Sequence, residues 1–139
     1  MKFLLDTCIV SELWTPKPES RVVEWLEQAD EGDLALSVLT LGEIQKGISR
    51  LPSGKKAQQL ALVFSELKKR FNERLLPVSA PIAERWGRLS SKAAREGQTL
   101  HPIDGLIAAT AAEHELSIVT RNVDDFRAVG VALVNPWSG

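Results

Sequence analysis

A chain of 139 residues, 44% hydrophobic and 25% charged, has the make-up of an ordinary globular protein, long enough to bury a core without covalent staples. Its formal net charge of −1 lacks the strongly basic balance of a dedicated nucleic-acid-binding domain, and its single cysteine, Cys8, excludes an internal disulfide and a cysteine-based structural zinc site. No apolar run nears the roughly 20 residues of a membrane span, and the N-terminal run, interrupted by Asp6 and Glu12, has no cleavage site of a secretory signal. The expectation is one cytoplasmic domain over residues 1–139, with no membrane association and Cys8 as a small buried hydrophobe just past the first strand.

Residues 2–5 form a short apolar run, and Asp6 with Thr7 supplies a helix start directly after it, so the chain opens on a strand-to-helix junction. The "TPKP" stretch breaks the pattern. Residues 19–29, with Val22, Val23, Leu26 and Ala29 on one face, form an amphipathic helix closed by "DEGD". A second short run at 34–37 precedes a helix over 40–50, spaced by Leu41, Ile44 and Ile48 and ended by "LPSG". The longest helix is expected over 55–72, where Leu60, Ala61, Phe64, Leu67 and Phe71 keep a helical period. A strand at 75–78 follows, then a helix marked by Ile82, Ala83, Trp86, Leu89 and Ala93 that stops at Gly97. Pro102 suits a first helical position, and the small-residue-rich helix behind it should be buried on most sides. Strands at 116–120 and 131–134 complete the chain, separated by "RNVDDFRAVG". Short apolar strands alternating with helices predict an α/β three-layer sandwich, a central mostly parallel sheet flanked by helices, with any ligand outside the carboxyl ends of the strands.

Four acidic positions fall at or near that edge, and each has an ordinary structural explanation. Asp6 can cap the helix that follows it. Glu43 completes "TLGE", a capping box with Thr40. Asp104 lies in the first turn after Pro102, where a negative charge complements the helix dipole. Asp124 and Asp125, after Asn122, can build a turn. Independent caps have no reason to converge, however, and carboxylates brought together repel one another unless a cation sits among them. Oxygen-only ligands suit magnesium or manganese. His101 and His114 have no ligand partner in sequence and are read as surface or capping residues. A hard divalent ion beside helix N-termini is equipped for phosphodiester hydrolysis.

The segments "FLLDTCIVSEL", "LSVLTLGEIQKGI", "HPIDGLIAATAAEHELSIVTRN" and "DDFRAVGVALVNPW" resemble, in order and nearly end to end, the PIN-domain ribonucleases of the VapC type, particularly the FitB-like branch. The resemblance implies a PIN-like fold and the toxin of a type II toxin–antitoxin pair. It implies a Mg2+-dependent endoribonuclease, with Mn2+ as a possible substitute, that is dimeric and held by a small antitoxin, with operator DNA reached only through that antitoxin. Carried over to this chain, Asp6, Glu43, Asp104 and Asp125 are metal ligands. Relatives place the fourth acid either where this chain has Asn122 or three residues later, so Asp125 takes that role, Asn122 remains a polar contact and Asp124 is the weaker candidate. Thr7 and Thr120 orient the carboxylates or bound water through their hydroxyls. Trp14, Trp25, Trp86 and Trp137 belong to the core, with one or two available to a partner. The basic groups Lys46, Arg50, Lys55 and Lys56, then Lys68, Lys69 and Arg70, then Arg85, Arg88, Lys92 and Arg95, form solvated helix faces or rails for an RNA backbone.

Two other classes share this outline. A receiver-type signalling domain needs an acidic pair ahead of its phosphorylated aspartate and a lysine after the last strand, and "LVNP" offers none; a phosphatase of the haloacid-dehalogenase kind needs an acid where Cys8 stands. A catalytically silent PIN-fold subunit of a repressor complex would not need all four acids. Incubation with a small phosphodonor should leave the chain unmodified, whereas a stable acylphosphate would mark the receiver.

Overall fold

The structure, a computed structural model, describes residues 1–138. Five strands alternate with helices: β1 (Phe3–Leu5), α1 (Thr7–Leu13), α2 (Ser20–Gln28), β2 (Leu34–Ser37), α3 (Val38–Ser49), α4 (Lys55–Arg70), β3 (Leu75–Leu76), α5 (Ala80–Arg95), α6 (Pro102–Glu113), β4 (Ser117–Val119), α7 (Val123–Phe126) and β5 (Leu133–Val134). All four strand pairings are parallel, in the order β3-β2-β1-β4-β5. The chain starts in the middle, winds outward through β2 and β3, then returns to lay β4 on the other side of β1. The winding direction therefore reverses between β1 and β4, and in an open α/β sheet that reversal leaves a crevice at the carboxyl ends of the two strands.

Strands of two to four residues suffice because both faces of the sheet are covered. The pleat sends Leu5, Leu34, Leu36 and Val119 to one face, where they meet Ile9, Val10, Val22, Ile44, Phe64, Phe71 and Trp137. Leu4, Ala35, Leu76 and Ile118 go to the other, against Ile107, Ala108, Ala111, Leu116 and Phe126. Helix α6 buries Gly105, Ile107, Ala108, Ala109, Thr110 and Ala111, as its composition requires. The side chain of Arg74 donates to the carbonyls of Glu31, Leu34 and Arg70, tying the end of α4 to the start of β2.

Several boundaries differ from the sequence expectation. Helix α3 begins at Val38, directly after β2, because the Ser37 hydroxyl accepts the Leu39 N–H at 3.0 Å. Thr40 is thus buried inside the helix and does not cap it, and the Thr40–Glu43 capping box does not form. Helix α4 ends at Arg70, where a 3-10 turn over Asn72–Arg74 takes up the chain, and α5 matches it at 16 residues. Strand β3 stops before Pro77, which has no N–H for the ladder.

At the crossing of α5 and α6, Gly105 is a packing requirement. A Cβ there would lie 2.8 Å from Trp86 Cδ1, closer than such atoms approach, and a tight 3.2 Å from Leu100 Cδ2. Gly105→Ala should therefore destabilise the fold by about 1–3 kcal/mol although alanine is the better helix former, a difference measurable by urea denaturation.

Candidate metal centre

The residue after β1 is Asp6. Its backbone N–H continues the sheet by donating to the Val119 carbonyl at 2.9 Å, which aims the side chain into the crevice between β1 and β4. There Oδ1 accepts the Thr7 N–H at 2.9 Å, capping α1, and Oδ2 accepts the Thr120 hydroxyl at 2.8 Å. Only 6% of Asp6 is exposed, and burial raises its pKa despite those hydrogen bonds, with the charge of Glu43 adding to the rise. Thr120 is fully buried and also accepts the Asn122 N–H at 3.0 Å, so one hydroxyl fixes both the carboxylate and the turn leading to α7.

Glu43 stands on the second turn of α3, and its Oε1 accepts the Thr7 hydroxyl at 2.5 Å. Two consecutive residues thus serve two acids: Asp6 presents its carboxylate, and Thr7 holds that of Glu43. Asp104 lies in the first turn of α6, where its pKa rises from 3.8 to about 6. Burial is the largest cause, followed by the charges of Asp6 and Asp125, with Glu43 contributing and His101 opposing. The four acids from the junctions after β1, β2 and β4 and from the start of α6 therefore share one electrostatic neighbourhood. Asp124 does not join them; its carboxylate turns outward to Arg127 at 2.9 Å. Asn122 precedes α7 and makes no side-chain cap, while its carbonyl accepts the Asp125 N–H at 3.1 Å.

Cys8 was expected to be an inert core residue, yet it is half-buried against the acid cluster. Its Sγ lies 3.8 Å from Asp6 Oδ2 and 3.6 Å from Thr120 Oγ1, and it accepts the Arg121 N–H at 3.4 Å. Burial raises its pKa, keeping the thiol protonated beside an anion. Position 8 is two residues past Asp6, in the first turn of α1, which was the available signal. Of the tryptophans, Trp137 is buried beneath the Arg121 guanidinium, and Trp25 packs edge-on against Phe3 with ring centroids 5.0 Å apart. Trp14 lines an apolar hollow of about 400 Å³ between α1, α2 and α4, and Trp86 fills the space left by Gly105.

Among the described residues, no three His, Cys, Asp or Glu side chains form a ready-made ion cage. Magnesium does not require one: it keeps most of its waters and is held by one or two carboxylates, with phosphate oxygens completing its shell. The all-oxygen donor set, and the neighbouring negative charges that add to the effect of burial at Asp104, both fit such an ion.

The PIN domain family model matches residues 3–132. Toxin FitB of Neisseria gonorrhoeae is 38% identical over 135 residues, covering 96% of this chain and 97% of that protein. VapC ribonuclease Y4jK of Sinorhizobium fredii is 31% identical over 96% of each chain. Among solved structures, FitAcB from N. gonorrhoeae superimposes with a TM-score of 0.93 at 38% identity, covering 97% of this chain and 98% of that one. VapBC2 from Rickettsia felis, bound to a DNA fragment from its promoter, superimposes with a TM-score of 0.82 at 25% identity over 97% and 98%. The chain belongs to the PIN domain family, and the receiver-domain alternative falls with that assignment.

Asp104 binds its proton more tightly folded than unfolded, so its ionisation opposes folding as pH rises from about 4 through 6. In metal-free buffer, Asp104→Asn should be more stable than the parent at pH 7.5. The difference should shrink to nothing below pH 4 in denaturation curves taken across that range.

Proposed function

We propose that this chain is the toxin of a toxin–antitoxin pair and acts as a metal-dependent endoribonuclease on RNA phosphodiester bonds. Supporting the reading are Asp6 at the winding reversal of a PIN-family sheet, Glu43 held by the Thr7 hydroxyl, and Asp104 under the charges of Asp6, Asp125 and Glu43, in a chain whose full-length relatives are named toxin and ribonuclease. PIN-domain ribonucleases are generally metal-dependent, and an all-oxygen site favours Mg2+, with Mn2+ as a substitute.

Asp6 and Asp104 would hold such an ion most directly, and Glu43 and Asp125 would add negative charge around it. When bound, the ion neutralises charge on the phosphoryl oxygens and acidifies water for attack. The chain's own contribution is orientation and exclusion. The Thr120 hydroxyl donates to Asp6, leaving the carboxylate's remaining lone pairs for the crevice. The Thr7 hydroxyl holds Glu43 at the crevice edge, where that carboxylate can take a proton from attacking water. Asn122 offers an amide to the substrate. The N-terminus of α6, opening next to Asp104, faces phosphate with its free N–H groups.

The partner of such a chain is a small antitoxin, operator DNA is reached through that antitoxin, and the protein works as a homodimer in the cytoplasm as one domain. Among the described residues no helix is long and apolar enough to cross a membrane.

Purified protein should cut single-stranded RNA with Mg2+ or Mn2+ and not in chelator. Asp6→Asn and Asp104→Asn should each lower the rate at least 100-fold with an unchanged circular dichroism spectrum, and Thr120→Val roughly 10-fold. Undiminished cleavage by either aspartate variant would remove the carboxylate mechanism.

A further inference from the structure

A cleft lined by four carboxylates repels an RNA strand, so a nuclease of this design needs positive charge near the cleft to hold its substrate. Many cations of the chain are already engaged. Arg70 and Arg74 bind Glu31, Lys69 pairs with Glu66, Arg85 with Glu113 and Arg127 with Asp124, and Lys68 lies over the Phe64 ring. One exposed group with no acidic partner among the described residues begins on the same helix stripe as a site acid. Lys46 on α3 and Arg50, its C-cap in helical conformation, follow Glu43 at i+3 and i+7, so the three share a face that runs about 10 Å outward from the acid edge. A four-residue turn then brings the chain to Lys55 and Lys56, the first two residues of α4.

That corner departs from local rules. Two lysines occupy the first turn of a 16-residue helix, where positive charge opposes the dipole; no acidic residue shares that turn and no side chain caps it. Gly47, between Lys46 and Arg50 on the exposed stripe, weakens α3 although a Cβ there would meet nothing within 4 Å. Rules broken without a packing reason tend to mark function.

We propose that Lys46, Arg50, Lys55 and Lys56 form the track that holds the phosphate backbone of the single-stranded RNA leading into the acid cleft. The inference rests on the ribonuclease reading for the identity of its polyanion. The cations act by charge and position, and Gly47 leaves α3 bare enough for the strand to lie close. The stripe Arg88, Lys92 and Arg95 on α5, which is equally exposed, shares its surface hollow with Glu84 and carries no site acid, and serves as the comparison.

The test replaces all four residues with glutamine in the full-length Asp104→Asn protein and measures binding of a short fluorescent oligoribonucleotide at several salt concentrations. The slope of log affinity against log salt should fall by about 0.7 for each phosphate contact removed, and affinity at low salt should fall at least 10-fold. Arg88→Gln, Lys92→Gln and Arg95→Gln together should leave both unchanged. In the cleavage-competent protein the four-residue variant should raise KM about 10-fold and hold kcat within twofold. Its melting temperature should stay level or rise, because the lysines oppose the α4 dipole. An unchanged salt slope and KM in a protein that still cuts RNA would overturn the track and leave the nuclease standing, as would a loss of binding matched by a fall in melting temperature. Loss of antitoxin affinity with an unchanged RNA slope would assign the patch to the protein partner and overturn it as well. A parent protein that binds RNA through these four residues without cutting it would keep the track and remove the nuclease.

Discussion

The hydrogen bond from Thr120 to Asp6 joins residues 114 positions apart across the seam between β1 and β4, and the cluster is assembled around it. A buried carboxylate with too few donors would protonate or swing away. Here the Thr7 N–H and the Thr120 hydroxyl hold Asp6 in place without neutralising it, so burial still raises its pKa. A structure built for stability alone would fill this position with a hydrophobe. The acid is kept at an energetic cost, as expected where a cation or a phosphate is to be handled.

Packing supplies the rigidity that this arrangement needs. Asp104 is carried by α6, whose small side chains let it pack on the sheet and whose Gly105 leaves room for Trp86 of α5. The same crossing that buries Trp86 therefore sets where Asp104 begins. Ser37 plays a similar part for Glu43. By starting α3 with no loop after β2, it puts the glutamate on the second turn, within reach of the Thr7 hydroxyl. Caps, glycines and core residues are in this sense parts of the site.

Charge organises the surface around the cleft. The acids are concentrated at one edge, many basic side chains are neutralised by specific partners, and the free cations at the α3–α4 corner begin where the Glu43 stripe leaves the edge. A chain of net charge −1 can thus combine an acidic edge with a cationic corner, which the total charge conceals.

By itself the sequence determined the alternation of short apolar strands with helices, hence the parallel layered architecture, and it placed Asp6 and Asp104 at element boundaries where ligands bind. Those features are local: periodicity, proline and a capping acid act within a few residues. Only the tertiary structure decided which acids meet. Asp124 and Asp125 are adjacent in sequence, yet one turns to Arg127 while the charge of the other reaches Asp104. Thr40, which local pattern makes a cap, is buried because Ser37 starts the helix earlier, and Cys8, locally an ordinary small hydrophobe, touches the site through the fold of β4 onto β1. Which side of a short helix faces a distant strand depends on packing between segments far apart in the chain, and no window of the sequence contains that information.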